Sequence, residues 1–84
     1  MNIELIKQYI EYKRQKNSKC IIFTYYEMRV DRNLSSEATF DFLRQASIEL
    51  KNDNYRVCRT GQKYDYNGKT KVVKDNQLLI AIKS

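Results

Sequence analysis

The 84-residue sequence contains no histidine, no proline and no tryptophan, and only two glycines and two cysteines. Without histidine there is no imidazole for acid–base work near neutral pH, and no zinc site that requires one. Two cysteines, Cys20 and Cys58, fall short of a four-thiolate cage or a disulfide scaffold. In a reducing setting they are free, inert thiols, while an oxidising setting leaves a bridge between them open. No base is present to activate a thiol, and no carboxylates are paired by spacing, so the chain reads as non-catalytic, with no cofactor and no metal. Long apolar runs are also missing. The run at residues 78–82 is far short of the roughly 20 residues that span a bilayer. Glu4 and Lys7 interrupt the first apolar stretch, which excludes a secretory signal there. These features predict a cytoplasmic protein with no membrane partner.

What is present is enough for a small core. Hydrophobic residues make up 42% and aromatics 12%, which predicts one small domain over residues 1–84 and excludes a disordered tail. Lys and Arg number 16 against 10 Asp and Glu, a net charge of +6. The excess is unevenly placed: residues 1–19 carry +3, residues 20–34 are neutral, residues 35–54 carry −2 and residues 55–84 carry +5. A charge polarised in this way is the electrostatic footprint of a polyanion binder, although the same lysines also solubilise a surface.

Along the chain, Ile3, Ile6 and Ile10 recur at helical spacing, and Asn2 stands where an N-cap is needed, so residues 2–16 read as an amphipathic helix. Lys13, Arg14 and Lys16 crowd its last turn, the order the helix dipole favours. The stretch from Cys20 supports two readings. The β-branched and aromatic residues suit a strand over 20–30. Thr24 and Glu27, however, have the spacing of a capping box, with Phe23 and Met28 placed as a hydrophobic staple, which gives a strand at 20–22 and a helix at 24–32. Ser35 or Ser36 then caps a longer helix to about residue 52, with Ala38, Phe42, Leu43, Ala46 and Leu50 as its apolar stripe. After Asn54 the period changes to two. Asn67-Gly68 is a type I′ hairpin signal, and Asp75-Asn76 turns the chain into an apolar strand. The expected fold class is α+β: two or three helices followed by a C-terminal antiparallel hairpin or three-strand meander.

This order resembles the winged helix-turn-helix family. The likeness runs from Phe23 to Val57: Thr24 and Glu27 open the second helix, Leu34-Ser35-Ser36 form the turn, Thr39 sits in the first turns of the third helix, and Tyr55-Arg56-Val57 leads into a wing-like hairpin. Arg44 and Ser47 depart from it, standing where leucines are expected, and the end of the third helix is acidic. The resemblance implies a recognition helix starting at residues 35–40 that enters the DNA major groove, and a wing at residues 62–71 along the phosphate backbone.

The candidate nucleic-acid contacts follow. Lys63, Lys69 and Lys71 flank the hairpin tip and suit phosphates, and Tyr64 and Tyr66 suit base stacking or phosphate hydrogen bonds. The same residues also suit protection of an edge strand and cross-strand packing. Ser36, Thr39 and Arg44 are expected on or near the exposed face of the third helix, where they reach phosphate or base edges. Arg29 and Arg32 reach backbone, or pair with Glu27 or Asp31. The expectation is a non-catalytic double-stranded DNA-binding protein, a small transcriptional regulator that dimerises through the apolar face of helix 2–16. Two alternatives stand beside it: a viral or mobile-element accessory protein that occludes a host protein with exposed tyrosines, and an RNA-binding α+β domain.

Overall fold

The first helix, α1 (Ile3–Lys16), begins where Asn2 accepts the Glu4 amide at 2.8 Å, and it buries Ile6 and Ile10. Asn17 then turns the chain by accepting the amides of Lys19 and Cys20, which leads into β1 (Cys20–Thr24). The computed structural model describes residues 2–83.

The capping box forms as its spacing requires. Thr24 Oγ1 accepts the Glu27 amide at 3.1 Å and Glu27 Oε1 accepts the Thr24 amide at 3.2 Å, while Phe23 and Met28 are both fully buried across it. Tyr25 and Tyr26 are helical, and the helix continues as a short π-helical segment, Glu27–Asp31. The reading of one strand over 20–30 is therefore overturned, because the cap ends β1 at Thr24. Asn33 adopts a left-handed φ of 52° and turns the chain toward the next helix. Ser35, not Ser36, caps α2 (Ser36–Asn52) by accepting the Ala38 amide at 3.1 Å. Asn54, with φ 65°, ends it in the left-handed conformation anticipated for an asparagine there.

Strands β2 (Tyr55–Arg59) and β5 (Gln77–Lys83) complete a three-stranded antiparallel sheet in the order β1-β5-β2. Between them β3 (Lys63–Tyr66) and β4 (Lys69–Val72) form a hairpin whose turn residues, Asn67 and Gly68, both have positive φ, as a type I′ turn demands. The protein is thus a small α+β domain. No helix among the described residues is long and apolar enough to cross a membrane.

Alternation gives the sheet two apolar faces. Ile21, Phe23, Leu79 and Ala81 face the helices and pack with Ile6, Ile10, Phe42 and Leu50. Cys20, Ile22, Cys58, Ile80 and Ile82 face the other way, where Tyr64, Val73 and Tyr66 cover them. The hairpin is therefore laid over the second face of the sheet instead of extending beyond it. Two bonds, Gly61 amide to Val73 carbonyl at 2.8 Å and Val73 amide to Gln62 carbonyl at 2.9 Å, fasten its base. A register shift between Phe23 and Thr24 adds one feature: Leu79 pairs with Phe23 and Gln77 with Thr24, which leaves Leu78 as the extra residue of a bulge. Leu78 consequently joins Leu79 on the helix side.

The packing also divides the apolar residues of α1 between the domain's interior and its surface. Ile6 and Ile10 lie in the domain's own core, and Tyr9 packs against Phe23 and Phe42 with ring centroids 6.0 and 5.8 Å away. The sheet takes Ile6, Ile10 and Tyr9 as its cover, while Leu5 and Tyr12 of the same helix stay exposed.

Candidate nucleic-acid interface

The hairpin carries the densest set of free cations. Its register places Tyr64 opposite Lys71 and Tyr66 opposite Lys69 on one face, with Lys63, Asp65, Thr70 and Val72 on the other. Tyr64 points into the outer core and is only 8% exposed, and Tyr66 is half-buried against the same cluster. The expectation that Tyr64 stacks on bases is corrected: the apolar outer face of the sheet takes its ring. Lys63, Lys69 and Lys71 are all exposed, and none forms an ion pair among the described residues. The hairpin's single carboxylate, Asp65, accepts the Thr70 hydroxyl at 2.7 Å. Lys74 lies beside Lys71 around a shallow cleft, and Lys19 beside the hairpin tip. Burial pushes the Cys20 thiol above its ordinary range, against the opposing charge of Lys71, and Cys58 is buried and unbridged.

Two cations of the N-terminal block, Lys13 and Arg14, are engaged differently, whereas Lys7, Lys16 and Lys19 form no ion pair among the described residues. Lys13 Nζ lies 2.8 Å from one Glu27 oxygen and 3.0 Å from the other, and the Tyr9 hydroxyl donates to the same carboxylate. Burial pushes the Glu27 carboxyl up and the Lys13 ammonium down from their ordinary values. Arg14 bridges Glu11, at 2.9 Å, and Asp53. Lys83 donates to the Asp53 carbonyl at 2.7 Å. Lys13, Arg14 and Lys83 thus tie α1, the π-helical segment and the end of α2 together.

The residues expected on the recognition helix do not share one surface. Ser36 accepts a bond from Arg29 Nη1 at 2.7 Å, and the Arg29 guanidinium lies 5.5 Å from the centre of the Tyr25 ring. Thr39 is 6% exposed and its hydroxyl has no partner among the described residues, so its expected place on the exposed face is corrected. The cause is helical phase: Thr39 is one turn ahead of Phe42 and Leu43 and turns inward with them. Arg44 is exposed and sits 3.6 Å from Asp41. Arg32 lies 4.3 Å from the centre of the Tyr9 ring, toward α1, and forms no ion pair with Glu27 or Asp31 among the described residues. The exposed flank of α2 also presents Glu37 and Phe40, which offer little to a DNA groove.

Instead the start of α2 frames a groove of about 390 Å³ lined by Tyr25, Arg29, Ser36, Thr39, Phe40, Leu43, Arg59, Thr60 and Leu78. Of these, only Arg29, Ser36 and Thr39 are among the contact residues expected from the sequence. Phe40 was legible as an aromatic off the apolar stripe of α2, and Arg59 as the next position in phase with Tyr55 and Val57. Leu78 was not legible, because only the bulge turns it to this side.

The sequence matches no protein-family model, and comparisons with curated proteins and with solved structures find no match. Among the described residues no group of three or more His, Cys, Asp or Glu side chains is placed to hold a metal ion.

Proposed function

We propose that this protein is a non-catalytic, double-stranded DNA-binding protein that holds the phosphate backbone with its hairpin, in the manner of a small transcriptional regulator. The observation that carries this reading is the set Lys63, Lys69 and Lys71: exposed, unpaired among the described residues, and spaced along one short hairpin whose only carboxylate is occupied by Thr70. Each lysine that neutralises a phosphate releases counterion, so binding is steeply salt-dependent. The element order from α1 to β5 supports the winged-helix reading, while the buried Thr39 and the occupied Ser36 argue against base recognition by α2. Contacts of this kind give affinity without sequence discrimination.

The test is binding of mixed-sequence duplex DNA, followed by fluorescence anisotropy over a salt series. Duplex affinity that falls steeply with salt supports the reading. Binding that is undetectable at low salt overturns it. A second reading, occlusion of another protein's surface, is favoured by one observation: Tyr25 and Phe40 are 50% and 61% exposed on the walls of the groove at the start of α2.

A further inference from the structure

The groove at the start of α2 lies on the helix side of the sheet, and the proposed phosphate contacts make no use of it. Its floor is Leu43 and the bulge residue Leu78, and its walls carry the exposed rings of Tyr25 and Phe40. A partly exposed phenylalanine ring forgoes burial that an occupant of the groove recovers. Arg29 and Arg59 line it and no carboxylate does. Neither arginine forms an ion pair among the described residues. Arg29 is already fixed by the Tyr25 ring and the Ser36 hydroxyl, so little side-chain freedom is lost when it binds an anion. The buried Thr39 hydroxyl, unpartnered in this wall, is a further polar group without a bond.

We propose that this groove docks an acidic segment of a partner protein. One aliphatic or aromatic side chain seats between Tyr25 and Phe40 over Leu43 and Leu78, and neighbouring carboxylates meet Arg29 and Arg59. Charge complementarity selects this occupant. Two guanidiniums beside the positive end of a 17-residue helix favour carboxylates, which they grip in forked geometry. The apolar floor demands a side chain without charge. A space of about 390 Å³ admits a few side chains and is too small for a duplex. Aromatic and arginine side chains around a small pocket are also the residues that dominate protein–protein affinity.

The experiment is an amide-resolved NMR titration of the full chain with the peptides Asp-Glu-Phe-Leu-Asp-Glu, Lys-Lys-Phe-Leu-Lys-Lys and Asp-Glu-Ala-Ala-Asp-Glu, and with a short thymidine oligonucleotide. The first peptide is expected to shift the amides of Phe40, Leu43, Arg59 and Leu78, and the other probes to shift these groove amides about tenfold more weakly or not at all, oligonucleotide shifts being confined to the hairpin. Phe40→Ala, at an exposed position, should weaken the acidic peptide about tenfold with the rest of the spectrum unchanged. Arg59→Glu should reverse the preference between the acidic and basic peptides, a result that loss of folding cannot imitate. Equal shifts of the groove amides by the two charged peptides, shifts of those amides by the oligonucleotide in place of the peptide, or unshifted groove amides at millimolar acidic peptide would each overturn the proposal. Duplex binding by the hairpin uses other residues, so its success or failure is read separately.

Discussion

One sheet serves two different layers. Toward α1 and α2 it presents Phe23 and Leu79 to a large core sealed by ion pairs, with Lys13 on Glu27 and Arg14 on Asp53. Toward the hairpin it presents Ile80 and Cys58 to a small core under Tyr64 and Val73, and the lysines around it are unpaired among the described residues. Net charge does not reveal this division. The +3 of residues 1–19 includes Lys13 and Arg14, both held by carboxylates, whereas the +5 of residues 55–84 includes the free hairpin lysines. A cation held by a carboxylate within the molecule is already occupied, and a cation left in water is available to a partner.

The comparison breaks most visibly in the core. Phe23→Ala removes a fully buried ring from the helix-side layer and should cost about 3–5 kcal/mol, a large part of what a domain of this size has. Urea denaturation would show it. Tyr64→Ala, in the thinner outer layer, should cost about 1–3 kcal/mol by the same measurement and loosen the hairpin while the three-stranded sheet persists. Equal losses would mean that the two layers are one cooperative core.

The ion pairs come next. Glu27→Ala removes the capping-box acceptor, the partner of Lys13 and the acceptor of Tyr9, and should cost about 2–3 kcal/mol. A pH dependence accompanies it. Because burial raises the Glu27 pKa in the folded state, that state binds the carboxyl proton more tightly than the unfolded chain does. The resulting stability is complete below the ordinary value of 4.5 and is lost as pH rises through the raised value. Glu27→Gln should flatten this fall, which denaturation curves across that window would show. The smallest effect belongs to the turn. Gly68 has φ 76°, so Gly68→Ala should cost about 1 kcal/mol through backbone strain alone, since nothing stands near the added methyl.

Local chemistry was readable from the residues, and layering was not. The Thr24–Glu27 box, the Asn67-Gly68 turn and the stripe of α2 each depend on neighbours within a few positions, and each formed as its spacing requires. Tyr64 and Lys63 alternate as a strand must, but which face meets the sheet depends on the apolar outer side that β1, β2 and β5 form only once they are paired. The inward turn of Thr39 has no local signature, because Ser-Thr spacing near a helix start does not define phase. The groove depends on a one-residue bulge at Leu78, a feature of strand pairing with no local signature.

The central claim is that the free lysines of the hairpin, and not the paired cations of α1, are the phosphate contacts. The direct measurement is the slope of duplex affinity against salt for the native chain, for a Lys63→Ala, Lys69→Ala, Lys71→Ala variant and for Lys13→Ala. The triple variant should fold with nearly unchanged stability and lose about 2.7 from the slope, close to 0.9 for each phosphate contact. Lys13→Ala should lower stability and leave the slope as it was. A triple variant that binds duplex DNA with native strength and native slope would contradict the account.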